Sequence, residues 1–163
     1  MRTDIMFSSS SDEWETPQEI FDALHEEFNF TFDLAANKSN TKCNRYFTAE
    51  DDALDQDWRS VGRCGWLNPP YSRRLCKRFI QKAAEERLRG YLTVALLPAR
   101  TDTKMFHKYI YDKNGWQPRD GIEIRLLSGR LKFSGSVSSA PFPSMVVVFR
   151  PTLIDAWPYE IQY

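Results

Sequence analysis

The chain has 163 residues, of which 42% are hydrophobic and 27% are charged, and its 22 Lys and Arg residues balance 22 Asp and Glu residues. This composition is typical of a globular protein and excludes a disordered or fibrous chain. The length suits one domain with one core, so a catalytic domain joined to a large separate recognition domain does not fit.

The zero net charge is the sum of two opposed halves. Residues 1–58 hold 14 acidic and 4 basic side chains, a formal charge of −10. Residues 59–163 hold 8 acidic and 18 basic side chains, a formal charge of +10. Such asymmetry is a hint of a polyanionic partner.

Other sequence features narrow the class of protein. The longest apolar run, near Leu92–Leu97, is far too short to span a bilayer, so we expect no membrane partner. The N-terminus lacks the apolar core of a secretory signal. The three cysteines form no CxxC pair and there are only two histidines, so we expect reduced thiols in a cytoplasmic protein and no metal site.

The first predicted segments are an arm and a helix. Residues 1–13 are polar, and we expect them to be a flexible arm before a single domain at 14–163. Thr16 is a capping residue, Pro17 suits the first helical position, and Glu19 completes a capping box, so a helix is predicted here. Four apolar residues then fall on one helical face: Ile20, Phe21, Leu24 and Phe28.

Two strands are predicted in the following part of the chain. Apolar and polar residues alternate from Phe28 to Leu34, which is typical of a strand. Residues 35–57 are polar and irregular and include an acidic cluster. A short strand, Cys64–Leu67, is then stopped by the two prolines of Asn68-Pro69-Pro70-Tyr71.

Helices and strands alternate in the middle of the chain. A helix is predicted from Arg74 to Arg89, with Gly90 as its C-cap. The apolar run Tyr91–Leu97 predicts a buried, parallel strand. A third helix is predicted at Asp102–Tyr111.

The C-terminal part is predicted to be antiparallel. Ile122–Leu127 and Leu131–Phe133 flank Ser128-Gly129-Arg130, which indicates a hairpin. Met145–Phe149 predicts a last buried strand between two prolines.

This order of elements predicts an open α/β sheet that is mostly parallel, with antiparallel strands late in the chain. In such sheets, ligands bind at the carboxyl ends of the strands. The segments after Leu34, Leu67 and Leu97 are therefore where we expect the functional residues.

The tetrapeptide Asn68-Pro69-Pro70-Tyr71 lies at one of these strand ends and suits a particular chemistry. An exocyclic amine on an aromatic base is hard to alkylate, because its lone pair is delocalised into the ring. The Asn68 side-chain oxygen and the Pro69 carbonyl can each accept one amine proton, and the prolines hold that carbonyl in place. Such preorganised acceptors stabilise the positive charge that develops on nitrogen.

The same interpretation gives Tyr71 a stacking role and indicates which kind of electrophile supplies the methyl group. The Tyr71 ring can stack on a base that has swung out of its helix. The electrophile must already be activated, and a sulfonium methyl group meets that need without an enzyme nucleophile or a metal.

The motif resembles that of S-adenosylmethionine-dependent amino-methyltransferases acting on adenine N6. The wider pattern is similar to that of the Dam-like DNA N6-adenine methyltransferases of phages and prophages. The matching segments lie within residues 14–149: Trp14–Gln18, Phe32–Ala36, Tyr46–Asp52, Asn68–Tyr71, Leu97–Thr103 and Ala140–Ser144.

The resemblance implies a Rossmann-like methyltransferase fold and roles for individual residues. Thr16 and Pro17 match a motif that packs against the methionine end of S-adenosylmethionine. Asp33 matches the acid that meets the methionine amino group, in a first cofactor loop with Leu34 and Ala35. Asp52 matches a position near the cofactor ribose or the target amine. The implied reaction is methylation of adenine N6 on a flipped-out base, either at a specific site or with low specificity.

Two departures from the family pattern stand out. The usual glycine-rich cofactor loop is missing, and Asn37 stands where a glycine is expected; we expect Asn37 to adopt the positive φ of that turn. The distance from Asp33 to Asn68 is short, so we expect a helix or a strand to be reduced between them.

Basic residues follow the motif and the third strand. We expect Arg73 and Arg74 to contact phosphates beside the flipped base, and Arg100 to do so from the end of the third strand. Further candidates lie on the predicted helix and hairpin: Lys77, Arg78, Lys82, Arg125, Arg130 and Lys132.

Alternatives remain open at this point. The tetrapeptide also suits a cytosine N4, RNA base or protein glutamine acceptor, and the missing glycine allows a non-catalytic nucleic-acid-binding module. The expected partner is DNA, most simply double-stranded. The expected oligomeric state is a monomer or a homodimer, and the expected location is the cytoplasm of a bacterial host cell.

Overall fold

The computed structural model describes residues 14–152, so the predicted arm at 1–13 lies outside the described residues. Three α-helices and one 3-10 helix alternate with seven strands in this part of the chain. Their bounds are α1 Gln18–Phe28, β1 Phe32–Asp33, the 3-10 helix Trp58–Val61, β2 Cys64–Leu67, α2 Arg73–Arg87, β3 Leu92–Pro98, α3 Lys104–Tyr109, β4 Tyr111–Asp112, β5 Gln117–Pro118, β6 Ile122–Leu126 and β7 Ser144–Phe149.

Five strands form one mixed sheet in the order β1-β2-β3-β7-β6. The first three are parallel, and β7 pairs antiparallel with both β3 and β6. The predicted α/β class, with antiparallel strands at the C-terminal end, is therefore confirmed. The ends of β1, β2 and β3, at Asp33, Leu67 and Pro98, form one side of the sheet, which we name the carboxyl edge.

The sheet is covered on both faces. Along β3, Ala95 and Leu97 pack in one apolar cluster with α2 and α3, whereas Val94 and Leu96 pack in a second cluster with α1. Side chains alternate between the two faces of a strand, so a strand buried on both sides must be apolar throughout. This requirement explains the continuous apolar runs of β3 and β7.

The predicted hairpin partner of β6 is wrong. β6 pairs with β7, with Ile124 opposite Val147, and residues 127–143 connect them. β7 is apolar on both faces and is placed between β3 and β6, where both of its edges are paired. Residues 131–133 do not continue the sheet, and Phe133 is buried elsewhere in the second cluster.

The start of the domain also differs from the predicted pattern. Helix α1 has Pro17 as its N-cap, and no side chain caps it, so the predicted Thr16 cap and capping box are wrong. The strand predicted at 28–34 is reduced to Phe32–Asp33, because α1 continues to Phe28 and Asn29 closes it with a left-handed φ of 54°.

The connection between β1 and β2 is short, as predicted. Residues 34–63 contain one turn of 3-10 helix and neither an α-helix nor a strand. Trp58 anchors the connection, since its ring is fully buried and its Nε1 donates a hydrogen bond of 2.8 Å to the Ala53 carbonyl.

Gly65 in β2 provides a test of the packing between this connection and the sheet. A methyl group at Gly65 would lie 2.5 Å from the Tyr91 hydroxyl oxygen and 2.7 Å from Leu34 Cδ1, and both side chains are fully buried. We expect Gly65→Ala to lower the free energy of unfolding by about 1–3 kcal/mol, since overpacking a close-packed core costs about this much. Urea denaturation followed by circular dichroism measures it.

Gly115→Ala is the matched control for Gly65→Ala. A methyl group at Gly115 would meet the ends of the Asp112 and Gln117 side chains on an exposed turn, and these can move. We expect the free energy of unfolding of this variant to lie within about 0.5 kcal/mol of the wild-type value. Equal stability of all three proteins would contradict the packing described here.

Candidate active site

A cavity of about 430 Å³ lies at the carboxyl edge. It gathers residues from the segment before α1, the end of β1, the loop after β1 and the end of β2. Six of the predicted site residues line it: Thr16, Asp33, Ala35, Asn68, Pro69 and Pro70. The expectation that the strand ends would converge is met because β1 and β2 are adjacent and parallel.

Asn68 is held by two hydrogen bonds to the segment before α1. Its Nδ2 donates to the Trp14 carbonyl and, at 3.0 Å, to Thr16 Oγ1. A backbone carbonyl accepts hydrogen bonds and never donates them, so the Asn68 group facing Trp14 must be the NH2. Chemistry therefore fixes which way the amide points.

This orientation leaves the Asn68 oxygen free to act. Asn68 Oδ1 is buried and has no hydrogen-bond partner. A buried acceptor without a partner is costly, and such atoms tend to mark a site that a ligand completes. Pro69 and Pro70, which follow it, are buried and restrict the backbone there.

Asp33 is the buried acid of the cavity. Its side chain is 2% exposed, and it accepts backbone hydrogen bonds from Lys42 at 3.0 Å and from Ala35 at 3.3 Å. Burial raises the pKa of Asp33 to about 6, because the charged form loses its hydration, and the two hydrogen bonds oppose part of this rise. The cavity thus contains an acid that is ionised at neutral pH and poorly neutralised.

In the loop after β1, side-chain hydrogen bonds close the turn in place of the missing glycine. Positive φ among non-glycine residues occurs at Asn29, Asp52 and Trp116 in the described chain, so the expected positive φ at Asn37 is wrong. The Asn37 side-chain oxygen instead accepts from the backbone N–H groups of Ser39 and Asn40. Asn40 Oδ1 in turn accepts from the Asn37 N–H at 2.7 Å, so side chains close the turn.

The remaining predicted cofactor residues lie beside the cavity. Leu34 and Asp52 line a smaller recess that shares Ala35, Thr48 and Ala49 with the cavity. Most of this recess is apolar: it is completed by Phe47, Ala53, Leu54, Leu75 and Phe79. Pro17 is buried and caps α1 without lining either space.

Tyr71 is placed differently from the prediction. Its side chain is 3% exposed, its hydroxyl donates to the Leu96 carbonyl at 3.0 Å, and it packs edge-on against Phe133 and Phe142. Burial raises the pKa of Tyr71 well above its usual range. The structure therefore leaves no Tyr71 face on which a base can stack, and the aromatic residue that lines the cavity is Trp14.

Sequence reasoning did not single out Trp14 as an aromatic wall or the Asn37–Asn40 turn as part of the site. Trp14 contacts Phe133 and Phe142, with ring centroids 5.2 Å away in both cases, so residues distant in sequence hold it. Lys38, also unpredicted, lines the cavity from the same turn. The only sequence feature that pointed to these residues was their position: Trp14 lies shortly before α1, and the Asn37–Asn40 turn lies shortly after β1.

The predicted phosphate-contacting residues are exposed. Arg73 and Arg74 begin α2 directly after the tetrapeptide, and Arg130 lies in the connection from β6 to β7. Arg100 follows β3, and its guanidinium donates to the Tyr71 carbonyl at 3.4 Å and lies 5.9 Å from the Phe142 ring centroid. All of these positions follow or precede strands at the carboxyl edge.

Arg125 does not belong to this group. It makes a two-point ion pair with Glu27 and a further pair with Glu123 at 2.6 Å. These carboxylates occupy its guanidinium, so the predicted phosphate contact at Arg125 is not supported by its surroundings. It links α1 to β6 instead.

Residues 14–152 contain neither a metal-binding cluster of His, Cys, Asp and Glu side chains nor a membrane-spanning helix. No group of three or more His, Cys, Asp or Glu side chains in this range is arranged to hold a metal ion. No helix there is long and apolar enough to cross a membrane.

Comparison with known proteins adds an independent finding. A model of the DNA N-6-adenine-methyltransferase (Dam) family matches residues 5–158. The chain is 32% identical over 152 residues to the DNA N-6-adenine-methyltransferase of Haemophilus phage HP1, covering 88% of this chain and 81% of that protein. It is 33% identical over 96 residues to the DNA N-6-adenine-methyltransferase of Escherichia phage T1, covering 58% of this chain and 39% of that protein.

The buried acid can be tested directly. We expect the Asp33 carboxyl to titrate near pH 6 in the folded protein, against 3.8 for an ordinary Asp, because of its burial. The folded state then binds this proton more tightly than the unfolded state. The group therefore favours folding most below pH 4 and loses that contribution as the pH rises through 6.

Carbon-detected NMR of the side-chain carboxyl gives the midpoint, and Asp33→Asn assigns the resonance. The unfolding free energy of the wild type should rise relative to that of Asp33→Asn by about 2 kcal/mol from pH 7 to pH 4. A midpoint below pH 4.5 would contradict the environment described for Asp33.

Proposed function

The chain belongs to the DNA N-6-adenine-methyltransferase (Dam) family and methylates adenine N6 in DNA, and we propose that it takes the methyl group from S-adenosylmethionine bound in the cavity at the carboxyl edge. The observation that carries the site assignment is the buried Oδ1 of Asn68, a residue that lines this cavity: within residues 14–152 this oxygen has no hydrogen-bond partner. The cofactor and the residue roles below are proposals built on it.

The residues of the cavity fit this cofactor. S-adenosylmethionine carries an ammonium and a sulfonium, and the Asp33 carboxylate is a buried anion that, among the described residues, has no cationic side chain in hydrogen-bond contact. Thr16 and Ala35 would lie beside the methionine end, and Asp52 and Leu34 border a small apolar recess next to the cavity. When bound, the cofactor supplies an activated methyl group.

Asn68 has the central catalytic role in this proposal. Its Oδ1 accepts a hydrogen bond from one N–H of the adenine amino group, and the Pro69 carbonyl accepts a hydrogen bond from the other N–H. These acceptors draw electron density toward the nitrogen and stabilise the positive charge that develops there. Trp14 and Thr16 hold the Asn68 amide in place before the substrate arrives, so no reorganisation is needed during the reaction.

The flipped base needs an aromatic neighbour, and we assign this role to Trp14 in place of Tyr71. Trp14 lines the cavity that contains Asn68, whereas the Tyr71 ring is enclosed by Phe133 and Phe142. Tyr71 then contributes by anchoring the loop of the motif through its bond to the Leu96 carbonyl.

DNA is proposed to lie across the carboxyl edge on the side of β3, β7 and β6. The exposed residues Arg73, Arg74, Arg100 and Arg130 face this side and would contact phosphates. We propose a double-stranded substrate, a monomer or homodimer as the active form, and action in the cytoplasm of the bacterial host in which phage DNA is copied.

Asn68→Ala tests the catalytic assignment. The variant loses the acceptor aimed at the amine, and we expect the rate of methyl transfer to fall by about 100-fold or more, as on removal of one preorganised group from other charge-stabilising sites. Transfer of labelled methyl groups to plasmid DNA measures the rate, and digestion to nucleosides identifies N6-methyladenine as opposed to other products.

The matched control is Asn44→Ala, which removes an exposed amide outside the cavity and should leave activity unchanged. Calorimetry should show S-adenosylmethionine binding to both variants. An Asn68→Ala protein that methylates at the wild-type rate would refute the assigned role.

The DNA surface can be tested by salt dependence. We expect Arg73→Ala combined with Arg74→Ala to weaken DNA binding and to make the slope of log affinity against log salt shallower by about two, one for each lost phosphate contact. Fluorescence anisotropy with a labelled duplex measures both quantities.

Arg63→Ala is the control, because Arg63 is also exposed but precedes β2 at the edge opposite the cavity. Its slope should match that of the wild type. A double variant with an unchanged slope would show that the start of α2 does not contact phosphates.

A further inference from the structure

The connection between β6 and β7 carries an apolar side chain into solvent beside the cavity. Val137 is 97% exposed, among small neighbours: Gly135, Ser136, Ser138 and Ser139. We name residues 135–139 the loop tip. A single exposed apolar residue is ordinary on a protein surface, so its position decides whether it matters.

The loop tip projects from a firmly held base. The backbone of Ala140 donates to the Leu131 carbonyl at 2.8 Å, which closes the loop, and Ala140 and Phe133 are buried. Phe133 packs against Trp14 and Tyr71. The base of the loop is thus part of the core, whereas Val137 at the tip is almost fully exposed.

The same base joins the loop to the cavity wall. Ser134 donates its backbone N–H to the Glu15 carbonyl at 3.0 Å and its hydroxyl to the Thr16 carbonyl at 3.3 Å. Glu15 and Thr16 both line the cavity, and Thr16 accepts a hydrogen bond from Asn68. The loop tip therefore begins one residue after a direct contact with the wall that positions Asn68.

Basic residues lie in the same connection and near its base. Arg130 and Lys132, in the same connection, are exposed. Arg100 lies over Phe142, which packs against Phe133 at the base of the loop. Duplex DNA that these side chains attract to the carboxyl edge would meet the loop tip next to the cavity.

From this placement we propose that Val137 is a wedge that enters the base stack and occupies the space vacated by the flipped adenine. The inference rests on the flipped base of the proposed function and deepens it by naming the residue that holds the duplex open. Extracting a base costs unstacking and unpairing free energy, and an apolar side chain inserted at that step offsets part of it. No bond is formed or broken by Val137, so it is a positioning residue.

Two other apolar side chains of the described residues are strongly exposed. Leu126 is 74% exposed at the carboxyl edge, but it belongs to β6 and is paired with Met145, so it does not project on a loop. Trp116 is 83% exposed, but it lies between β4 and β5, which follow α3 and lead to the start of β6. Ile122 at that start pairs with Phe149, which also pairs with Thr93 near the beginning of β3. Trp116 is therefore at the edge opposite the cavity, and it serves as a matched control.

The experiment compares paired and unpaired targets. Base-resolved mapping of a methylated plasmid first supplies the target sequence. Two duplexes are then made, one with the target adenine opposite thymine and one with it opposite an abasic site. Single-turnover methylation is measured for wild type, Val137→Ser and Trp116→Ser, since Val137 is almost fully exposed and its replacement by serine leaves the core intact.

We expect Val137→Ser to slow methylation of the paired duplex by about tenfold and to be within twofold of wild type on the unpaired duplex, because that target needs no wedge. Trp116→Ser should match wild type on both. With 2-aminopurine at the target, the fluorescence increase on binding should be smaller for Val137→Ser on the paired duplex alone.

Equal slowing on both duplexes, or no slowing on either, overturns the wedge. A wild type that shows no fluorescence increase and no preference for the unpaired target overturns base flipping and the wedge together. A wild type that methylates neither duplex nor plasmid overturns the proposed function itself, so the failures are distinguishable.

Discussion

The fixed amide of Asn68 is the interaction on which the candidate site depends. Its Nδ2 is hydrogen-bonded to the Trp14 carbonyl and Thr16 Oγ1, so its Oδ1 must face away from them and stays without a partner. These bonds join the chain before α1 to the end of β2, more than fifty residues later. Thr16, which a local pattern assigns to capping α1, is used for this longer-range purpose, and α1 begins without a side-chain cap. The free energy of a local cap is given up to orient the group to which we assign the catalytic role.

The opposed charges of the two halves correspond to two sides of the site. The acidic half supplies β1 and Asp33, which suit a cofactor carrying an ammonium and a sulfonium. The basic half begins just before β2 and supplies Arg73, Arg74 and Arg100, which suit phosphate. Because β2 lies between β1 and β3 in the sheet, the two ligands would approach Asn68 from different directions. Zero net charge is therefore compatible with DNA binding: what matters is the local field at each side.

The connections between the strands form this site with little regular secondary structure. The connection from β1 to β2 has no α-helix, and Trp58 and the Asn37–Asn40 turn give it rigidity that a glycine-rich loop and helix would otherwise supply. The connection from β6 to β7, residues 127–143, is shorter, and it is anchored by Phe133 against Trp14. That anchor places the loop tip, including Val137, beside the wall that holds Asn68. The longest connection in the C-terminal part of the described chain thus lies at the carboxyl edge, where DNA would bind.

The family resemblance, and not a local pattern, pointed to Thr16 and Asp33. The sequence by itself determined the α/β class, the strand at Cys64–Leu67, the buried strands near 92–98 and 144–149, and the expectation of a site at the strand ends after Leu34 and Leu67. These follow from local periodicity, from prolines that stop a strand, and from the rule that parallel strands end at one edge. Only the tertiary structure decided that β7 lies between β3 and β6, that Tyr71 is enclosed by Phe133 and Phe142 while Trp14 lines the cavity, and that Arg125 pairs with Glu27. Each of these depends on which residue, distant in the chain, fills a given space or offers a given charge. Patterns read over a few neighbouring residues carry no information about such partners, because packing and ion pairing depend on distance in space and not in sequence.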